Sequence, residues 1–509
     1  MTDTFDNNKT KMFSVKPNYK GQRVEFRHSW EGLGNIDQML WMTRLDCLQQ
    51  LEDAHKDLGL RHVRAVGLFD DNLAVVGKDP RKFDNENAKP RINWQNVDYI
   101  FDSLLDRGIA PMFTTTFMPE ALSSGNQTVF ETKNNVSLPK SFQEWEQLVS
   151  VTAGHMLDRY GKKRMENWYY EVWNEPNLGA FFGGSKEDFF KLWKVTYDVI
   201  KKANPEFRIG GPSTARAEWI PEFLEYARKN DCMPDYLIGH IYNNDSEYAA
   251  LSPFAGPQDD KINRSPNFLS GVVRGVSELA DSLNFNGEIH WNEWGRSWFP
   301  FDPMRETSNE AAFIVKTMAE VSQYADYFAY WCLSDIYNQL GFGAETFHGN
   351  YGMMNLQGLK KPAYFAHQLL SQLGTEEIPS EKTSSDLYNG AIVTKKNNGL
   401  GILVYHFDND FNPENYQLDK IPVSIELPND KTVKTASLSR VSEVENNILH
   451  QWRKEGSPDY LKYDERALWK EKNKLIKDES SFTINNSGNS HFIEFEMTTP
   501  GIVYVEIIF

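Results

Sequence analysis

The sequence predicts an α/β protein, a (β/α)8 TIM barrel with a C-terminal antiparallel β-sandwich domain. Three observations predict it. Strand, loop and helix patterns alternate with little interruption from about residue 20 to residue 370. After Leu373 the texture changes to short strand-like runs separated by polar turns. Two glutamates, in Trp173-Asn174-Glu175-Pro176-Asn177 and in Trp291-Asn292-Glu293-Trp294, each stand just after a run that reads as a buried strand. The chain has 509 residues, 40% of them hydrophobic. That is too long for one ordinary domain, so a barrel-sized unit plus a smaller one is expected.

The elements follow in order. A first strand is expected near Val24 to Trp30, and an amphipathic helix then stops at Leu58-Gly59. Leu60 to Leu68 reads as the second strand. Val97, Ile100, Phe101, Leu104 and Leu105 recur at helical spacing between Trp94 and Leu105. Gly108 ends that helix, and Ala110 to Phe117 is the third strand. Trp168 to Trp173 is the fourth. Ser185 with Asp188 offers a capping box for a helix whose stripe is Phe189, Leu192, Trp193, Thr196 and Ile200. Asn204-Pro205 terminates it, and Phe207 to Gly210 begins the fifth strand. Tyr236 to Tyr242, Glu288 to Trp294 and Tyr327 to Leu333 supply three more.

Eight successive βα units imply parallel strands that close as a barrel. An open doubly wound sheet binding a nucleotide would carry a glycine-rich turn after its first strand, and none is present. Further on, Ala391 to Val393, Leu400 to Tyr405, Val423 to Leu427, Val433 to Leu438, Phe492 to Met497 and Gly501 to Ile508 read as sandwich strands. Glu465 to Lys477 reads as a charged helical insertion with a solvated face. The expected division is an N-terminal extension over 1–20 that adds an edge strand to the sandwich, a catalytic barrel over 21–370, and a sandwich over 371–509.

Composition narrows the function. A net charge of −17 and a pI near 5.2 argue against nucleic acid or an acidic membrane surface as partner. There is no run of 18 apolar residues to span a membrane. Cys47, Cys232 and Cys332 are far apart, so they make neither a disulfide framework nor a zinc pattern. Buried reduced thiols are expected, which suits the cytoplasm. The start, Met1 to Asn8, lacks a basic n-region and an apolar h-region, so no secretory signal is read there. Oligomeric state is open, and a homo-oligomer is compatible with the sequence.

Catalytic groups of a (β/α)8 barrel sit where strands end and βα loops begin. Glu175 follows strand four and Glu293 follows strand seven, so their side chains can converge across the mouth. Splitting a glycosidic bond needs two carboxyl groups, one to protonate the leaving oxygen and one to attack. A retaining mechanism requires a separation of about 5–5.5 Å. At that distance an ionised Glu293 raises the pKa of Glu175, which keeps a proton for the leaving oxygen. Asn174 is placed to hydrogen-bond the sugar's 2-hydroxyl. Two carboxyl groups suffice, so no cofactor is expected. No His-x-His or His-Glu-x-x-His pattern suggests a metal.

The chain resembles clan A glycoside hydrolases and, more specifically, glycoside hydrolase family 39, the family of β-D-xylosidases and α-L-iduronidases. The resemblance covers the barrel. It rests on Gly108 to Leu122, Glu171 to Leu178, Ile289 to Trp294, Tyr330 to Leu356 and Lys361-Pro362. It implies Glu175 as acid/base, Glu293 as nucleophile and net retention. It places His240 and Tyr242 on strand six against the nucleophile and makes Trp331, ending strand eight, the floor under the pyranose. Arg64 matches an arginine that supports the two acids. Phe117 and Asn338 join the expected substrate contacts.

Two departures bear on the sugar. Family xylosidases commonly read Arg-Phe-His-Gly where this chain has Arg64-Ala65-Val66-Gly67, and paired glutamates where it has Asn338-Gln339. Arg216 and Arg296, after strands five and seven, would suit a carboxylate- or sulfate-bearing sugar. The expected function is a retaining exo-glycosidase acting on an oligosaccharide or glycoside, β-D-xylosidase-like. The alternatives are a uronic, sulfated, galactosyl or arabinosyl sugar, or a non-catalytic carbohydrate-binding protein of the same fold. Long loops, Asn243 to Asn267 and Phe299 to Asn309, favour a closed pocket and exo action.

Overall fold

The computed structural model describes residues 12–77, 81, 90–245, 265–381, 388–410, 412, 415–416, 418–487 and 490–509. Eight parallel strands form one sheet: β1 (Leu33–Gln38), β2 (His62–Val66), β3 (Ala110–Thr114), β4 (Tyr169–Glu171), β5 (Arg208–Thr214), β6 (Tyr236–Tyr242), β7 (Glu288–Gly295) and β8 (Tyr327–Tyr330). Each is followed by a helix: α1 (Leu45–Leu58), α2 (Gln95–Leu105), α3 (Phe142–Tyr160), α4 (Lys186–Ala203), α5 (Ile220–Lys229), α6 (Phe268–Ser282), α7 (Ser308–Val321) and α8 (Pro362–Leu370). Each strand hydrogen-bonds its sequence neighbour. The seam between β8 and β1 is closed by Asn35, whose Nδ2 donates to the carbonyls of Asn292 (2.6 Å), Tyr330 (3.1 Å) and Ala329 (3.3 Å). Leu333 N–H donates back to Asn35 O at 2.9 Å.

The first barrel strand is not the one expected. Val24–Glu25 pairs with Glu376–Glu377 in the C-terminal sheet, and Ser29–Glu31 is a 3-10 turn. Leu33–Gln38 escapes a hydrophobic search because Asn35, Asp37 and Gln38 are polar and buried, where they bond the seam and the barrel mouth.

The barrel interior is layered by the period-two alternation of its strands. At its closed end His62, Tyr169, Tyr236, His290 and Tyr327 make a cluster of rings, with Tyr236 stacked on His290 at 4.3 Å. Two residues further along their strands, Arg64 and Glu171 point the same way and meet above that layer. The capping box at Ser185 is formed, with both Ser185 and Asp188 side chains reaching the other's backbone N–H.

The C-terminal strands make two facing sheets. β9 (Asn389–Lys396), β10 (Gly399–His406), β11 (Asp419–Leu427), β12 (Thr435–Ser442), β13 (Thr483–Ser487), β14 (Ser490–Thr499) and β15 (Gly501–Ile508) are ordered β12-β15-β10-β9 in one sheet and β11-β14-β13 in the other. Phe13–Val15 pairs in parallel with β11. Alternate residues of β10 serve different cores. Ile402 and Val404 face the second sheet, while Leu403 and Tyr405 join the barrel's hydrophobic cluster. The insertion after β12 carries a helix over Arg466–Lys472. It is not solvated all round, because Trp469 is buried with Phe347, Leu359 and Trp452.

Candidate active site

Local backbone departures place the two acids. In β7, His290 points into the barrel, so strict alternation would send Asn292 inward and Glu293 outward. The β6–β7 register slips by one residue between Gly239/Trp291 and His240/Glu293. Such a bulge sets two consecutive side chains on one face. Asn292 then lies against Met112 Sδ at 3.9 Å, and Glu293 also turns into the mouth. Trp294 returns to the outside against Phe328. Glu175 is held differently. Its φ of +47° is left-handed, a region that disfavours side chains with a Cβ, and its N–H is pinned to Ser213 O at 2.9 Å. Ser213 is itself a left-handed residue (φ +59°), at a register slip of β5.

The two carboxylates face each other. One oxygen of each, together with a ring nitrogen of His240, lie within 4.8 Å of one another. Arg64 is fully buried beneath them and every nitrogen of its fork is used. Nε and Nη2 donate to Glu171 at 2.7 and 3.0 Å, Nη1 to Glu293 Oε1 at 2.8 Å, and Nη2 also to Asn174 Oδ1 at 2.6 Å. Tyr242 Oη donates to Glu293 Oε2 at 3.2 Å. His240 Nδ1 lies 3.1 Å from Glu175 Oε1 and 3.6 Å from Glu293 Oε2, and its Nε2 lies 3.2 Å from Ser213 Oγ. Asn174 accepts from Arg64 through Oδ1 and lines the cavity.

Electrostatics separate the groups. Burial pushes Glu175 up to about 7, against the pull of Arg64 and Arg216 and with a smaller push from Glu171. Desolvation, rather than the charge of Glu293, is therefore the main cause of the expected rise. Burial also raises Glu293, opposed by the charge and hydrogen bond of Arg64, with Glu175 adding to the rise. Arg64 and Tyr242 bond Glu293 and not Glu175, so Glu293 gives up its proton first. Burial lowers His240 to about 4, so its ring is neutral at pH 7. Glu171 resists burial, because Arg64 and a hydrogen bond from Ser213 hold it below the usual carboxylate range.

Glu175, His240 and Glu293 are close enough to share a metal ion. The Arg64 guanidinium 2.8 Å from Glu293 already supplies the positive charge there, and it disfavours a second cation.

The cavity in front of the pair has a volume of about 780 Å³, within the range of small-molecule sites, roughly 300–1,000 Å³. It is lined by Asn174, His240, Tyr242 and Trp331 from the expected set. Arg64 supports from beneath rather than touching the cavity, its Cζ 6.0 Å from the Trp331 ring centroid.

Three expected contacts are corrected. Phe117 is fully buried behind the cavity, edge-on to Trp173 and Phe130, because the short β3 ends before it and its ring completes the core. Arg296 is buried and paired with Glu310 (3.0 Å) and Asp302 (2.8 Å); the charge of a buried guanidinium must be met by protein acids. Asn338 does not line the cavity. Its N–H donates to Asp37 at 3.1 Å, and Tyr337, Gln339 and Leu340 take the wall instead. Arg216 does reach the cavity, paired with Glu218 at 3.0 Å.

Sequence reasoning missed Glu171, Ser213, Asp245 and Tyr351. A charged residue inside the buried run Tyr169-Tyr170-Glu171 was a usable signal, since it demands a buried cation such as Arg64. Asp245, raised by burial to about 7, lines the cavity and accepts from Tyr242 N–H at 2.7 Å. Residues 246–264 of the loop after β6, expected to help close the pocket, lie outside the described residues.

Comparison with known proteins gives a consistent pattern. The model of glycosyl hydrolases family 39 matches residues 13–490. A beta-xylosidase of Caldicellulosiruptor saccharolyticus is 30% identical over 484 residues, 95% of this chain and 96% of that protein. One of Geobacillus stearothermophilus is 31% identical over 366 residues, 70% of each. The crystal structure of a monomeric beta-xylosidase from Caulobacter crescentus CB15 superposes with a TM-score of 0.83 at 25% identity, covering 97% of this chain and 99% of that one.

Proposed function

Because the chain belongs to glycosyl hydrolases family 39 and is a retaining glycoside hydrolase, we propose that Glu175 and Glu293 carry its reaction, on a β-D-xyloside-like terminal sugar. The observation that carries the proposal is the pair of buried carboxylates with oxygens within 4.8 Å, the spacing of double displacement rather than of a water-separated inverting pair.

In the first step the Glu293 carboxylate attacks the anomeric carbon. The glycosidic oxygen leaves with the Glu175 proton, and a glycosyl ester forms. In the second, ionised Glu175 takes a proton from water, whose oxygen attacks the same carbon and releases Glu293. Arg64 and Tyr242 keep Glu293 ionised and aimed. His240 is neutral at pH 7; its Nε2–H is directed to Ser213 Oγ, whose own proton goes to Glu171, so its Nδ1 is free to accept from the acid form of Glu175 at 3.1 Å and holds that proton in place for the first step. Asn174 Nδ2 is left to meet the 2-hydroxyl, and Trp331 to support the ring.

The xyloside reading draws on the beta-xylosidase relatives. A second reading, an anionic sugar, keeps one observation, the position of Arg216, but Arg296 no longer supports it and Glu218 offsets the Arg216 charge. Three free, buried cysteines favour a reducing compartment, and we place the protein in the cytoplasm on that ground. Among the described residues no helix is long and apolar enough to cross a membrane.

A panel of 4-nitrophenyl glycosides tests the reading. Turnover should be fastest for the β-D-xyloside, with no gain for uronides or sulfated sugars, and should fall at least a thousandfold in Glu293→Gln. An unchanged rate in that variant would end the assignment, and a preference for uronides would replace the sugar.

A further inference from the structure

Beside Glu175, Glu293 and their partners, the cavity lining carries the polar side chains of Arg216, Asn244, Asp245 and Gln339. The outer walls are different. On one side Phe130, Leu178 and Phe181 come from the loops after β3 and β4, joined by Leu340 from the loop after β8. On the other, Trp298 and Phe299 come from the loop after β7.

Three of these side chains stand notably open, Trp298 at 44%, Phe299 at 39% and Leu340 at 57% exposure. Exposed aromatic and aliphatic groups gathered about one cavity mark a surface that meets an apolar ligand.

The walls are braced rather than loose. Phe130 and Phe181 rings pack edge to face at 5.3 Å, and the Trp298 and Phe299 rings pack at a tilt with centroids 4.3 Å apart. Glu131 N–H donates to Gln339 O at 2.9 Å and ties the first wall together, while Tyr351 Oη donates to Trp298 O at 2.5 Å. Phe130 is held at φ +63°, a left-handed conformation costing about 1–2 kcal/mol in a residue with a Cβ, so the fold carries strain where this ring is presented.

The polar residues among these walls have protein partners: Arg216 pairs with Glu218 at 3.0 Å, and Asp245 accepts from Tyr242 N–H at 2.7 Å. Asn244 Nδ2 donates to Ser297 Oγ at 3.1 Å, and its Oδ1 accepts from Trp298 N–H at 3.0 Å. Gln339 Nε2 donates to Asp37 at 2.9 Å. A second pyranose in this position would bring several hydroxyls to a surface with few groups to receive them, and each unmet group costs about 1–3 kcal/mol.

Resting on the glycosidase reading above, we propose that the leaving-group side of this cavity is built for an apolar aglycone, an alkyl or aryl alcohol, rather than for a second sugar. Alkyl alcohols differ little in acidity, so a series of alkyl glycosides holds the chemistry constant and varies only apolar contact. A fully buried methylene is worth about fourfold in kcat/KM.

The test first fixes the sugar with the 4-nitrophenyl panel, then compares the methyl, butyl and hexyl glycosides of that sugar with its disaccharide. The expected result is a rise of at least tenfold in kcat/KM from methyl to hexyl, with hexyl above the disaccharide. The double variant Phe299→Ser, Leu340→Ser should shrink the hexyl-to-methyl ratio at least threefold. A flat alkyl series, a disaccharide preferred to hexyl, or a ratio untouched by the double variant would each overturn the inference alone. Turnover of no glycoside would overturn the glycosidase reading and this inference with it.

Discussion

Glu175→Gln removes a carboxyl group that burial forces to keep its proton. In the unfolded chain a glutamate titrates at about 4.3, whereas here it holds its proton to about 7. Between those values the folded state binds more protons than the unfolded one, so stability falls as pH rises. The shift is worth about 4 kcal/mol of stability, fully present below pH 4 and lost as pH rises through about 7. Glutamine does not titrate, so the variant should be more stable at pH 8 and no more stable at pH 4. Unfolding entropy of roughly 2.1 cal/mol/K per residue makes 1 kcal/mol worth about 1 °C in a chain of this length. Calorimetry should therefore find Tm raised by about 4 °C at pH 8. The same substitution should abolish the alkaline limb of kcat/KM, which in the parent protein has its midpoint near 7, and should slow alkyl glycosides far more than 4-nitrophenyl glycosides, whose leaving group needs no proton. An equal Tm change at both pH values, or an alkaline limb near 7 that survives, would refute the reasoning.

Arg64→Met leaves Glu171 and Glu293 buried without their cation, a loss of about 3–5 kcal/mol; Tm should fall by several degrees. The acid limb of kcat/KM should move to higher pH, because Glu293 must be ionised to attack. Asn35→Ala strips the barrel seam of a donor to three carbonyls and should cost about 1–3 kcal/mol, read as a lower Tm with the pH–rate profile unmoved. Arg296→Met should destabilise through Asp302 and Glu310 left buried without their guanidinium, while the ratio of uronide to xyloside turnover stays constant.

Strands β2 to β8 were legible because a parallel strand buried on both faces is a near-continuous apolar run between turn signals, as in Leu60 to Leu68 or Tyr236 to Tyr242. The two glutamates were legible for the same reason, being charged residues where such runs end. β1 was hidden because Asn35, Asp37 and Gln38 hydrogen-bond rather than repel water. The turn of Glu293 into the barrel depends on a one-residue register slip that no residue type announces. Arg296 and Phe117 were misplaced because spacing from a catalytic residue says nothing about direction: three residues past Glu293 the chain has already turned outward to Glu310. The cause of the Glu175 shift was equally out of reach, since burial of a side chain is a tertiary fact.

Which carboxylate attacks decides the mechanism. A 2-deoxy-2-fluoro glycoside with a good leaving group slows both steps and lets the ester accumulate, and peptide mapping by mass spectrometry then locates the sugar. The expected result is one added glycosyl group on the peptide bearing Glu293, released on incubation with an acceptor alcohol. A label on Glu175, or no label alongside a product of inverted configuration, would contradict it.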